Sequence, residues 1–83
     1  MAWVYFLYSK KIDKYYVGAC TDLDRRLYGH NLGHSKFTST GIPWELVFKE
    51  EWQDLALAKQ REMKIKKMKS RTYIQDLIRK GTP

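Results

Sequence analysis

The chain has 83 residues, enough for one domain over 1–83 and not two, and its 43% hydrophobic and 14% aromatic content points to a folded chain rather than a disordered one. Sixteen Lys and Arg against nine Asp and Glu leave a net charge of +7, which favours a polyanionic partner, nucleic acid first. The single cysteine, Cys20, excludes an internal disulfide and fits a reducing cytoplasm; no membrane span and no signal peptide is expected, because no apolar run is long enough and no basic leader precedes one.

The first element is aromatic and β-branched, "WVYFLYS" over 3–9, and reads as a strand. A polar turn, "KKIDK" (10–14), leads to a second strand, "YYVGAC" (15–20), so the two predict a hairpin. Thr21 is in position to cap a helix whose first turn carries Asp22 and Asp24, and Gly33 should end it. Residues 34–43 are rich in Ser, Thr and Gly, close on Pro43 and read as a loop. "WELVFKEEW" (44–52) alternates Trp44, Leu46 and Phe48 against Glu45, Val47 and Lys49, the pattern of a third strand. A helical pattern runs from Asp54 to about 69, and Ser70 restarts a short helix carrying Tyr73, Ile74, Leu77 and Ile78. The order β-β-α-β-α-α predicts an α+β domain, a small three-stranded antiparallel sheet flanked by helices.

Helical rotation then sorts the first helix. With Leu23 at zero, Leu27, His30, Arg26 and Arg25 fall at roughly 40°, 340°, 300° and 200°. Arg26 and His30 therefore share the edge of the buried face, and Arg25 points to solvent. On the strands, Tyr5 shares a face with Trp3 and Leu7, and Tyr16 shares one with Gly18, a glycine that is costly within a strand unless something approaches the backbone closely. On the second helix Glu62 lies on the side marked by Leu55, Ala58 and Ile65. Two tyrosines, an arginine, a histidine and a carboxylate can thus converge from three elements. Such a set can hydrolyse a phosphodiester: the carboxylate binds a divalent metal, the arginine neutralises phosphate charge, and a phenol or imidazole handles the water proton.

Each residue also has a plainer reading. Tyr5 and Tyr16 fit a core, Arg26 can cover apolar surface with its stem, and Glu62 can pair with Lys66 four residues on. His30 and His34 share metal-pair spacing, but Gly33 interrupts the helix between them, so no zinc site is expected. Cys20 reads as a small buried apolar residue. The run "KIKKMKS" (64–70) reads as a solvated basic face, with phosphate contact the alternative; Lys36, Lys66, Lys67, Lys69 and Arg71 are the candidate nucleic-acid contacts.

The joint spacing resembles the GIY-YIG nuclease superfamily, above all its small stand-alone bacterial members of the UPF0213 type, and is similar to the catalytic domain of structure-specific nucleases. Tyr5 in "WVYF" matches the family's first tyrosine, and Tyr16, Val17 and Gly18 match its Tyr-Ile-Gly strand. Arg26 follows that glycine by eight residues and His30 comes four later. Asn31, Gly33, Thr38 or Thr40, and Pro43-Trp44-Glu45 match the connecting segment. Ala58, Glu62, Ile65 and Lys66 match the helix that carries the family's metal-binding glutamate. The first motif departs from the pattern in having Trp3 where the family has a glycine. The resemblance implies a metal-dependent endonuclease acting on DNA, branched or duplex, with Tyr5, Tyr16, Arg26, His30 and Glu62 catalytic and Glu62 holding Mg²⁺ or Mn²⁺. Specificity would come from this domain or from a protein partner. The alternatives are a non-catalytic nucleic-acid-binding module on the same fold, or a basic surface for an acidic protein.

Overall fold

In a computed structural model, which describes residues 1–33 and 36–81, strands β1 (Ala2–Ser9), β2 (Lys14–Cys20) and β3 (Glu45–Trp52) form one antiparallel sheet in the order β2-β1-β3. Four helical segments accompany it: α1 (Leu23–Asn31), α2 (Lys36–Ser39), α3 (Leu55–Met68) and α4 (Arg71–Lys80). The α+β class and the order β-β-α-β-α-α are as the sequence predicts, with one addition. The segment expected to be loop contains α2, a single four-residue turn. One turn leaves no helical period to read, and Ser39 Oγ closes it by donating to the Lys36 carbonyl at 2.9 Å. Residues 34 and 35 of that segment lie outside the described residues.

β1 is the central strand, and both of its faces are covered. Ala2, Val4 and Phe6 face α3 and α4, where Val17, Phe48, Ala58 and Ile65 complete a core that Tyr73, Ile74, Leu77 and Ile78 of α4 close. Tyr5 and Leu7 face the opposite way, into a second cluster with Cys20 and Trp44 that Leu23 and Leu27 of α1 cover. Helices therefore lie on both sides of the sheet.

Two local expectations need correction. The cap of α1 is Asp22, not Thr21: its carboxylate accepts the Arg25 N–H at 3.1 Å. Both residue types cap well, and the backbone leaves the extended region only after Asp22. In β3 the simple alternation fails. Phe6 pairs with Phe48 but Leu7 pairs with Leu46, so one residue bulges from the ladder. Trp44 and Leu46 consequently fall with Tyr5 and Leu7, while Phe48 crosses to the other face and stacks on Phe6 with ring centroids 4.5 Å apart.

α3 and the start of α4 fall within a residue of where the sequence predicts them. Asp54 caps α3 through the Leu57 N–H at 2.9 Å, and Ser70 caps α4 through the Tyr73 N–H at 3.1 Å. Lys69, with a φ of 46°, makes the left-handed link between the two helices. Asp13, with a φ of 52°, turns the β1–β2 hairpin and anchors α4 to it. Its carboxylate accepts from the Tyr8 hydroxyl at 2.6 Å and from Arg71 at 2.5 Å, and its carbonyl accepts from Arg71 at 3.0 Å. The Tyr8 hydrogen bond, then Arg71, holds the Asp13 carboxyl below the usual carboxylate range. No helix among the described residues is long and apolar enough to cross a membrane.

The Phe6–Phe48 stack is the centre of the larger core. Phe6→Ala should therefore destabilise the fold by about 3–5 kcal/mol, the range for removing a buried aromatic ring. Urea denaturation checks this; a loss no larger than that of an exposed-residue variant would contradict the packing described.

Candidate active site

The site is built outward from Gly18. This glycine is the cross-strand partner of Tyr5, and a Cβ placed on it would sit 2.5 Å from the Tyr5 hydroxyl oxygen. The Tyr5 ring thus lies across the backbone of β2, where any other residue would block it. That is the close approach for which a glycine inside a strand is the remedy. Tyr16, two residues earlier on β2, flanks the same ring with centroids 6.3 Å apart. Tyr5 is 1% exposed, and burial, followed by the neighbouring Tyr16, pushes its pKa well above the ordinary phenol value. Tyr5 is a protonated phenol at any physiological pH.

His30 meets these tyrosines from α1. Its Nε2 lies 3.2 Å from the Tyr5 hydroxyl and its Nδ1 lies 3.0 Å from the Thr38 hydroxyl. The Tyr16 ring stands edge-on to the imidazole at 4.8 Å. His30 is 5% exposed; burial, then the charge of Arg26, lowers its pKa below 6.5. The imidazole is therefore neutral near pH 7, donating from one ring nitrogen and accepting at the other.

The segment after α1 holds this chain in place. Trp44 donates its indole N–H to the Thr38 carbonyl at 2.6 Å. The Asn31 side chain pairs with the Trp44 backbone in both directions, accepting from its N–H at 2.6 Å and donating to its carbonyl at 3.1 Å. Buried Ser9 at the end of β1 donates to the Gly41 carbonyl at 2.7 Å. Of the two threonines left open by the sequence, the one that meets His30 is Thr38.

Arg26 lies above this buried set. The helix wheel puts it at the edge of the buried face, but in the structure only His30 of the pair is buried and Arg26 is exposed. Its charge still reaches inward, lowering the pKa of His30 and opposing the rise at Tyr5. Arg25 is exposed as expected, yet it borders the same cleft as Arg26, a space of about 650 Å³ whose lining runs from Cys20 to His30. The cleft wraps around the solvent side of α1, which a wheel centred on the core does not represent. Tyr28 also borders it, exposed, and sequence reasoning did not single it out.

Glu62 approaches from the other layer. α3 packs most closely on β2, and the Glu62 carboxylate is near enough to add to the rise in the Tyr5 pKa. Its nearest charged partner is Lys66, one turn on, at 2.5 Å. Glu62 is half-buried, with 18% of its side chain exposed. Among the described residues there is no group of three or more His, Cys, Asp or Glu able to enclose a metal, and His34 lies outside them. A single half-buried carboxylate suits Mg²⁺ or Mn²⁺ bound the way Mg²⁺ usually binds, through one or two carboxylates with waters and substrate phosphate filling the rest. Cys20 is free and buried, and burial raises its thiol pKa, as fits an apolar packing role.

The candidate nucleic-acid contacts divide into groups. Lys66, Lys69 and Arg71 border one groove between β2 and the α3–α4 corner. Lys67 is exposed on α3 but does not line that groove, and Lys36 is exposed at the start of α2. Arg71 is engaged with Asp13 and stacked over Tyr15, its guanidinium 5.2 Å from the ring centroid.

The fold is a small α+β domain, a three-stranded antiparallel sheet with helices on both faces. The family model for the GIY-YIG catalytic domain matches residues 1–74, so the chain belongs to the GIY-YIG family, and this indicates a nuclease-type function acting on nucleic acid. Nucleases of this family generally use divalent metal ions. Comparison with curated proteins and with solved structures gives no match.

The lowered pKa of His30 sets a pH dependence on stability. Above 6.5, its ordinary value, folded and unfolded states both carry neutral imidazole. As pH falls below that, the unfolded chain takes the proton first and stability declines. The melting temperature of the wild type should therefore drop between about pH 7.5 and about pH 5.5, and that of His30→Gln should drop less. Equal drops would mean that His30 is not buried neutral.

Proposed function

We propose that the chain is a metal-dependent endonuclease that hydrolyses DNA phosphodiester bonds, with Tyr5, Tyr16, Arg26, His30 and Glu62 as its catalytic residues. What carries the reading is the buried Tyr5–His30–Thr38 hydrogen-bonded chain beneath a cleft bordered by Arg26, with a carboxylate from the opposite layer in electrostatic reach of Tyr5. These residues answer to a family whose domain is a nuclease domain.

The roles follow from protonation states and exposure. Both ring nitrogens of neutral His30 already meet hydroxyls, Tyr5 at Nε2 and Thr38 at Nδ1, so His30 orients Tyr5 rather than taking a proton from the water itself. Tyr5, a firmly protonated phenol, positions the attacking water by hydrogen bonding rather than by taking its proton. Tyr16 stands edge-on to the imidazole and helps hold it in place. Arg26 forms no ion pair among the described residues, so its guanidinium can meet the phosphate and stabilise the charge that develops there. Glu62 would hold Mg²⁺ or Mn²⁺, and when bound there the ion supplies Lewis acidity toward the phosphate oxygens.

The reading extends to DNA, branched or duplex, as the substrate, to a protein partner for targeting, and to a cytoplasmic location, for which the single unpaired Cys20 is the support. The runner-up is a non-catalytic nucleic-acid-binding module. Lys66 favours it, since its ammonium sits on the carboxylate that a metal would need.

Nicking of supercoiled plasmid in Mg²⁺ separates the two. Glu62→Gln, nearly isosteric, should abolish nicking while leaving the melting temperature and DNA affinity in place. Arg26→Ala should slow nicking by about a hundredfold, the scale of a lost transition-state donor, and Arg25→Ala should change it little. Full activity in Glu62→Gln would remove Glu62 from the site. Equal losses from the two arginines would mean that the cleft, and not the inward reach of Arg26, is what matters.

A further inference from the structure

The groove on the outer side of β2 is separate from the cleft under Arg26, with a space of about 440 Å³ between the strand and the α3–α4 corner. Four cations border it: Lys14 from the hairpin, Lys66 and Lys69 from the end of α3, and Arg71 from the start of α4. Among the described residues, no carboxylate lines it. Between the cations the surface is apolar or aromatic, made by Val17, Ile74, Tyr15 and Tyr16.

The groove leads toward the catalytic cluster at two points. Tyr16 borders it and also stands against His30 at 4.8 Å. Lys66 borders it and also holds Glu62 at 2.5 Å. A polyanion lying along the four cations would therefore reach the site that the nuclease reading assigns to chemistry. We propose that this groove takes an unpaired DNA strand, so that the enzyme selects substrates with a single-stranded segment next to the scissile bond. This rests on the nuclease reading of the neighbouring cluster.

The chemistry of the lining separates an unpaired strand from a duplex. A duplex faces its bases inward and would offer the groove only phosphates, leaving the apolar surface and the Tyr15 ring in water. An unpaired strand can place its phosphates on the lysines and its bases on the aromatic and aliphatic surface, the combination that single-strand binding surfaces use. Tyr15 is already held by its neighbours, with the Arg71 guanidinium over its ring, 5.2 Å from the centroid, and the Tyr8 ring tilted against it at 4.9 Å. Those two contacts hold the ring in place before any base arrives. Arg71 is tied to Asp13 and belongs to the wall of the groove; Lys14 and Lys69 form no ion pair among the described residues.

The test is binding of a fluorescent oligothymidine and of a blunt duplex of equal length, each across a range of salt, to the wild type and to the double variant Lys14→Gln/Lys69→Gln. Both substitutions are on exposed side chains and leave the core untouched. The wild type should bind oligothymidine with steep salt dependence. The double variant should lose about tenfold in oligothymidine affinity and about 1.4 from the slope of log affinity against log salt, two phosphate contacts on a single strand. Its duplex affinity should fall less. Tyr15→Leu, which keeps apolar surface but removes the stacking face, should weaken oligothymidine in preference to duplex. No oligothymidine binding by the wild type, or equal losses on both ligands, would overturn the proposal. Plasmid nicking by the wild type is read separately: its absence would sink the nuclease reading, whatever the oligonucleotides show.

Discussion

The phenol of Tyr5 crosses the backbone of Gly18 to reach His30, and the rest of the site is arranged around that crossing. It requires a residue without a side chain at the one β2 position opposite Tyr5. It requires a central strand, because only β1 has neighbours on both edges to bury the tyrosine that makes the reach. It also requires α1 to end its buried face on a histidine and the following segment to return with Thr38 beneath it. Gly18, Tyr5, His30 and Thr38 come from four separate elements, so the arrangement exists only when β1, β2, α1 and α2 have come together.

Burial then divides the labour between neutral and charged groups. Tyr5, His30 and Thr38 are all nearly inaccessible, and the environment keeps the first protonated and the second uncharged. The charged members, Arg26 and Glu62, stay at the margins, one exposed on α1 and one half-buried on α3 in the opposite layer. A charge at the centre of this cluster would bear the full cost of desolvation. Placed at its rim, Arg26 still tunes both inner residues while keeping its hydration. The same economy governs the basic surface: the groove beside β2 collects cations from the hairpin, α3 and α4, none of which has to be buried to act.

Much of this was legible in the sequence because it follows from periodicity. Strand alternation puts Tyr5 and Leu7 on one face and Val4 and Phe6 on the other, and helical rotation sets His30 beside Leu23 and Leu27. The unexplained glycine within a strand announced that something must pass over it. Other features left no periodic trace. A bulge in β3 moves Phe48 to the far core without changing a single residue of the alternating pattern. α2 is one turn long, so the threonine that supports His30 could not be told from its neighbour two residues on. Thr21 and Asp22 both cap helices well, and the choice depends on a backbone dihedral. Lys14 looked like the end of a turn because the groove it borders is closed by residues more than fifty positions away.

The central claim, that Gly18 admits Tyr5 to a buried and neutral His30, is tested most directly by titrating the His30 imidazole by NMR in the wild type and in Gly18→Ala. In the wild type the ring should titrate below 6.5, its ordinary value. In the variant the new methyl group collides with the Tyr5 phenol, which must move, and the apparent pKa of His30 should return toward that value as the ring loses its cover. A wild-type imidazole that titrates at or above its ordinary value, or an identical titration in both proteins, would contradict the account.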